Sequence, residues 1–374
     1  MTLHRTRAVY MRGGTSRALM FREQDLPADP AARDALFLAA MGVPDPSARN
    51  LDGMGGGLSS LNKVCIVGPA SRADADVDYT FVQLTPDTPA VDYGGNCGNM
   101  SAAIGPFAVE EGLVPCPADG ETAVRIHNTN TGKLIVARFA VEHGALAADG
   151  NFTLDGVAGT AAPVKLEFLA PGGAKTGRLL PTGHAVDRLE VAGLGAIEAS
   201  LIDAANPCAF VRAEALGKTG TELPHDLEQD DAFCAAMEAI RRAASVAMGL
   251  TPDLVAAGAL ASIPKVAMVA PPQDAPTLSS TLAATEHDIA VRMISVGQPH
   301  RAVPITGAIC LAVAARVPGT IPALACAAAS GPIRVGHASG TTQVDAGVEN
   351  GTALYGAVYR SARRLFEGNV VWRG

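Results

Sequence analysis

The sequence predicts an α+β fold built as two similar halves, mostly antiparallel β-sheet with two buried helices, and three observations carry that expectation. Short apolar runs recur along the chain, nearly all separated by Gly, Pro, Asp or Asn, as an antiparallel sheet with short connections requires. The 40 glycines and 25 prolines follow no period, which favours many strands and tight turns over a long helical bundle. Two segments, GNMSAAIGPFAVEEG (98–112) and ITGAICLAVAARVPG (305–319), are apolar almost all round, so each must be buried inside something rather than lie on a surface. Each starts next to a glycine and ends at one, with Gly98 and Thr306 at equivalent points, and that pairing is the sign of two halves.

Taken in order, the runs with β character are RAVYM (7–11), KVCIVG (63–68), YTFVQL (79–84), AVRIHN (123–128), KLIVARFAVE (133–142), VKLEFL (164–169), IEASLID (197–203) and CAFVRA (208–213). A third helix, AFCAAMEAIRRAASVAMG (232–249), carries charge on one face and alanine on the other, so it reads as amphipathic packing rather than chemistry. The stretch APGGAK (170–175) reads as a linker. The expected division is residues 1–180 with 362–374 as one half and 181–361 as the other.

Composition narrows the function. At 374 residues the chain is long enough for two domains with their own cores, and 48% hydrophobic residues with a mean hydropathy of +0.21 exclude extended disorder. The 29 basic and 37 acidic side chains give a formal charge of −8, with no basic tract to meet phosphates, so nucleic acid is not an expected partner. No apolar run reaches the roughly 20 residues of a membrane helix, and MTLHRTRAVYMRGG lacks a signal-peptide core. The expectation is a cytoplasmic protein that does not enter a membrane. Cys65, Cys97, Cys116, Cys208, Cys234, Cys310 and Cys326 are scattered singly, without CxxC spacing, so neither a disulfide framework nor a zinc or other metal site is expected.

The stretch VDYGGNCGNMSAAIG (91–105) sets a cysteine between two Gly-Asn pairs, just ahead of the first buried helix. If that helix starts at Gly98, Cys97 stands at its N-cap, and the free amides of the first turn face its sulfur and any anion beside it. Such positions favour a thiolate and attract carboxylates, which makes Asn96, Cys97, Gly98 and Asn99 candidates; most cysteines of this kind of protein are simply buried. In DGMGGGLSSLNKVCIVG (52–68) a glycine-rich loop runs into Asn62-Lys63 at the mouth of a strand. It lacks the Gly-Lys-Ser/Thr end of a phosphate loop and the third glycine of a dinucleotide fingerprint. Lysines at strand mouths are usually solvated, yet beside so much bare backbone Lys63 is expected to be partly desolvated and to serve as a general base. MRGGTSRAL (11–19) offers Arg12, Gly13, Gly14, Thr15 and Ser16, although most such stretches are turns, and DAANPCAFVRA (203–213) offers Asn206, which is also readable as a tight turn. His300 precedes the second buried helix, whose first turn holds Thr306 and Gly307, and His337 lies in VGHASG.

MRGGTSRA, DGMGGGLSSLNKV, DVDYTF, VDYGGNCGNMSAAIGPFA, IHNTNTGKL, LPTGHAVDRL, ANPCAFV, GTEL and RLFEGNV occur in the order found in the PrpF family, which the chain resembles over essentially its whole length. The resemblance implies a fold similar to diaminopimelate epimerase: two halves, each a curled sheet around a central helix, with the active site in the cleft between them. It implies a cofactor-independent isomerase of unsaturated di- or tricarboxylates, of the methylitaconate or 2-methylaconitate type, with 4-oxalomesaconate tautomerase as the alternative. The family's active-site lysine and cysteine fall on Lys63 and Cys97. IHNTNTGKL and SLIDAANPCAFV look most similar to methylitaconate Δ-isomerase.

The chain departs from the family pattern at MRGGTSRA, where Arg17 and Ala18 stand in place of a lysine and a glycine. The epimerases also carry a second cysteine before the second helix; here HRAVPITGA has none, and the next thiol is Cys310 inside the helix. A two-thiol racemase is therefore the weaker reading, and a non-catalytic carboxylate-binding protein is the rival of another class. A di- or trianionic substrate on a chain of charge −8 needs local compensation, from two helix N-termini and from Arg12, Arg17 or Arg301. Backbone amides of Gly98, Asn99 and Gly13 to Ser16 are the expected oxyanion donors. A homodimer is one option for the assembly.

Overall fold

In the computed structural model, which describes residues 2–47, 49–295 and 297–373, the chain divides into two units. One is Met1–Glu167 with Tyr359–Gly374, the other Phe168–Val358. Both junctions precede the 180/181 and 361/362 boundaries expected from the sequence. The reason is local bonding: Ala170 N–H donates to Leu354 O (2.9 Å) and Gly173 N–H to Asp203 O (2.7 Å), so APGGAK is held by the second unit. Ser361 O accepts from Gly14 N–H (2.9 Å), which ties that residue to the first.

In the first unit, strand Ala362–Arg373 pairs antiparallel with Leu3–Gly13, and that strand pairs antiparallel with Ser16–Arg22. Ser16–Arg22 then runs parallel to Lys63–Pro69, with helix Pro30–Met41 in the crossover. Lys63–Pro69 pairs antiparallel with Val77–Leu84, which runs parallel to Gly120–Asn128 across helix Gly98–Glu110, and Lys133–Glu142 closes the series antiparallel. Parallel neighbours need such long crossovers, and helices fill them.

The second unit repeats this order of pairings. Asp187–Val191, Gly195–Ala204 and Asn206–Arg212 pair antiparallel in succession. Asn206–Arg212 runs parallel to Lys265–Ala270 across helix Asp231–Ala247. Lys265–Ala270 pairs antiparallel with Ile289–Ser295, which is parallel to Ile333–His337 across helix Ile305–Ala315, and Gly340–Glu349 follows antiparallel. The fold is thus α+β and mostly antiparallel, as expected.

Each of the two apolar helices is the core of its unit. Every residue from Met100 to Val109 is buried, against strands on all sides, including Leu3–Gly13 and Lys133–Glu142. Gly105 has no room for a side chain: a Cβ there would meet Phe139 Cε1 at 2.8 Å and Ala137 Cβ at 2.9 Å. Gly307 to Ala315 are buried likewise, and Gly356 leaves the space that Ile309 fills. Both helices stop short of their expected ends. Gly112, at φ +69, breaks the first, and the Thr320 hydroxyl donates to Ala314 O (2.7 Å) beyond the second.

The amphipathic helix Asp231–Ala247 does pack: Phe233, Met237, Ile240 and Ala244 join one hydrophobic cluster. Helix Pro30–Met41 is an addition to the sequence reading. Asp29 caps it by accepting from Ala32 N–H (3.0 Å), Gly42 ends it in the left-handed region, and Leu36, Phe37, Ala40 and Met41 enter the core. Among the described residues no helix is long and apolar enough to cross a membrane.

Candidate active site

Lys63 opens its strand and is only 8% exposed. Parallel register sets it beside Ala18, and antiparallel register sets it opposite Gln83. Its Nζ donates to Gln83 Oε1 and lies 5.0 Å from the centre of the Phe81 ring. The orientation of the Gln83 amide follows from its other bonds: Nε2 donates to Ser59 O (3.0 Å), Asn62 O (3.0 Å) and Leu84 O (2.9 Å), so the oxygen must face the amine. Among the described residues no carboxylate pairs with Lys63. Gln83 was not visible as a site residue in the sequence; only the strand register brings it there.

Cys97 is the N-cap residue of Gly98–Glu110, in extended conformation, and its side chain makes no capping bond. Its carbonyl accepts from Ser101 N–H (2.9 Å) and Ser101 Oγ (3.0 Å), and Ser101 Oγ also donates to Asn96 Oδ1 (3.4 Å). The helix start is thus fixed by Ser101 and the sulfur is left out of the capping. Cys65 lies two residues along the strand from Lys63. Burial above all pushes its thiol well up, while its hydrogen bond to the Tyr79 hydroxyl and the nearby Lys63 pull the other way.

The glycine loop abuts the same helix start. Gly13 pairs with Ser16, leaving Gly14-Thr15 as a two-residue loop with Gly14 at φ +52. A Cβ on Gly13 would meet Asn99 O at 2.7 Å, and one on Gly14 would collide with Asn99 Oδ1. Asn99 Nδ2 donates to Thr15 Oγ1 (3.1 Å), and Asn99 Oδ1 accepts from Arg360 Nε (3.2 Å). The expectation that loop amides donate to substrate needs correcting at Gly14, whose N–H is spent on Ser361 O. Arg12 braces the same loop, donating from Nη1 to Gly14 O and Ser361 O (both 2.9 Å). Asn62 is wholly buried and donates to Gly56 O and Leu58 O, holding the glycine-rich loop ahead of Lys63.

The remaining candidates lie in the second unit. Thr306 is exposed and Gly307 buried in the first turn of Ile305–Ala315, where Gly307 makes room for Met293. His300 has a buried Nε2 without a partner among the described residues, and burial lowers the proton affinity of its ring. Asn206 opens its strand, with Nδ2 donating to Pro207 O (3.1 Å). His337 is held at both ring nitrogens, by Thr342 Oγ1 (2.8 Å) and Ser339 N–H (3.2 Å). Cys310 is buried inside its helix with Sγ donating to Ile202 O (3.5 Å), and burial together with Cys208 pushes its thiol well up. Among the described residues no three His, Cys, Asp or Glu side chains gather as a metal site.

Comparison with known proteins bears on the family and the fold. A family model described as PrpF protein matches residues 3–373. The chain is 44% identical to a 2-methyl-aconitate isomerase of Shewanella oneidensis, over 97% of this chain and 96% of that one. It is 39% identical to a 3-methylitaconate isomerase of Eubacterium barkeri, over 97% and 96% of the two chains. A crystal structure of a methylitaconate-delta-isomerase superposes with a TM-score of 0.92 at 38% identity, covering 100% of this chain and 96% of that one. Fold and sequence together define an isomerase. The chain belongs to the PrpF family.

Proposed function

We propose that the protein moves an allylic proton, and with it a double bond, in a small unsaturated di- or tricarboxylate of the 2-methylaconitate or methylitaconate type. Lys63, as the free amine, removes the proton that conjugation acidifies, giving a dienolate whose charge spreads onto a carboxylate. First-turn amides at Gly98 and Asn99 receive that charge; such donors are worth about 2.7 to 4 kcal/mol each in known enzymes. Reprotonation at the far carbon, from the Lys63 ammonium or from Cys97, completes the shift with no net gain or loss of protons. Each step runs through groups of this chain.

The observation that carries this reading is the setting of Lys63: buried, anchored on a neutral amide oxygen, and with no carboxylate paired to it among the described residues. A plain binding protein would not exchange the allylic proton. An epimerase needs a second acid or base, and Cys310, buried and bonded to Ile202 O, is poorly suited to that role. The seven cysteines are free thiols, which suits the reducing cytoplasm as the proposed location.

The test is incubation in D2O with 2-methylaconitate, methylitaconate and 4-oxalomesaconate. Deuterium at the allylic carbon, lost in Lys63→Ala, is expected; full exchange in that variant removes Lys63 as the base. A preference for 4-oxalomesaconate would reassign the substrate within the same chemistry, as in a relative from Novosphingobium named (4E)-oxalomesaconate Delta-isomerase at 37% identity.

A further inference from the structure

Arg360 ends the strand Thr352–Arg360 and is 7% exposed. Its Nε donates to Asn99 Oδ1 (3.2 Å) and its Nη1 to Tyr359 O (2.8 Å). Among the described residues no carboxylate pairs with it and Nη2 has no partner. Burial alone pushes its guanidinium down to about 10. Other buried arginines are provided for: Arg241 has Glu238 (2.6 Å) and three carbonyls, and Arg292 donates to the carbonyls of Glu222, Thr221 and Val291. A buried cation facing only a neutral amide and one carbonyl is costly unless an anion joins it.

What it faces is the start of a thirteen-residue helix whose first-turn amides also favour an anion. Asn99 belongs to that turn, and its amide is fixed at both ends, Nδ2 on Thr15 Oγ1 and Oδ1 on Arg360. The arginines considered from the sequence are engaged differently. Arg12 braces Gly14 O and Ser361 O, Arg17 stacks 5.6 Å over the Tyr10 ring, and Arg301 is exposed in the other unit.

We propose that Arg360 is the substrate clamp, its free Nη2 edge holding a carboxylate of the substrate at the first turn of helix Gly98–Glu110. This rests on the isomerase reading and adds a specificity to it. A monocarboxylate that spends its one anionic group at the reacting centre leaves the guanidinium unpaired, so the site selects acids with at least two carboxylates.

The probe is methylsuccinate, a saturated diacid that carries no allylic proton to lose. Calorimetry is expected to show the wild type binding it, Arg360→Lys binding more weakly because the planar fork is gone, and Arg360→Met weaker by about 30-fold or more. In turnover, Arg360→Met raises KM with a smaller change in kcat. Unchanged methylsuccinate affinity in Arg360→Met overturns the clamp. Should that variant fail to fold, the wild type labelled with 15N-arginine decides: the Nε signal of Arg360, assigned through Arg360→Lys, must shift on titration with methylsuccinate, and a static signal overturns the proposal. If no candidate acid is turned over while methylsuccinate binding still depends on Arg360, the isomerase reading falls and the clamp stands. If turnover is equal in wild type and Arg360→Met, the clamp falls and the isomerase stands.

Discussion

Gln83 gives its amide oxygen to Lys63 because its nitrogen is already spent on the carbonyls of Ser59, Asn62 and Leu84. The glutamine therefore positions the amine. Gln83→Leu leaves the buried Nζ unanchored, while Ser59 O and Asn62 O keep their backbone donors, Asn62 N–H and Leu84 N–H, and kcat is expected to fall about tenfold or more with a smaller change in KM. Gln83→Glu sets a carboxylate against the amine, which favours its protonated form. Activity at neutral pH should fall and the pH–rate profile should move to the alkaline side. An unchanged profile in Gln83→Glu would separate Gln83 from the base.

The glycine loop is predicted to fail by sterics rather than by lost contacts. Gly14 is at φ +52 with Asn99 Oδ1 where a methyl would go, so Gly14→Ala combines backbone strain with a collision. It should lose about 1 kcal/mol of stability or more, and displace Asn99 from Thr15. Chemical denaturation gives the first quantity. A fall in kcat/KM out of proportion to the stability change gives the second, and proportional losses would make the loop a purely structural turn.

What could be read from the sequence was local, and what could not was register. Cys97 as N-cap and Gly98 as helix start follow from Gly and Asn beside an apolar helix, and strands such as Lys133–Glu142 are bounded by their own turn residues. Helix Pro30–Met41 carries its cap, Asp29, and its stop, Gly42, in the local sequence. Gln83 and Arg360 are of another kind. Gln83 meets Lys63 through an antiparallel register across 20 residues, and Arg360 reaches Asn99 from 261 residues away. Arg12 and Asn62 look like ligands by type, yet Arg12 Nη1 and Asn62 Nδ2 are spent on loop carbonyls, which no motif records.

A pH effect on stability should come from His287. The ring is 2% exposed, its Nδ1 lies 3.1 Å from Ala283 O, and Nε2 has no partner among the described residues. Burial is the main cause that lowers its affinity for a proton; the Ala283 carbonyl and Asp288 oppose it, and Arg334 and Arg292 add to it. The unfolded imidazole takes up a proton at its ordinary value, about 6.5, while the folded one does so only at lower pH. As pH falls below that value the unfolded state binds more protons, so stability declines until the folded ring is protonated as well. Urea midpoints of wild type should drop between pH 7.5 and pH 5, and His287→Gln should flatten part of that slope. Parallel slopes for the two proteins would exclude the ring as the cause.

Lys63 and Cys97 should fail in different ways. Lys63→Ala removes the group that breaks the C–H bond, so turnover and solvent exchange are both expected to fall by about 10²- to 10⁴-fold. Cys97→Ser keeps a side chain well suited to an N-cap, and the helix start is independently fixed by Ser101 on the Cys97 carbonyl, so the fold should be untouched. If the thiol delivers the proton at the far carbon, the dienolate in Cys97→Ser returns to substrate more often than it goes on to product. Deuterium would then enter unreacted acid faster than product forms, and the ratio of exchange to isomerisation rises above that of the wild type. Equal loss of exchange and isomerisation in Cys97→Ser would instead make the thiol part of the base, and an unaltered ratio at wild-type rate would leave both proton transfers to Lys63.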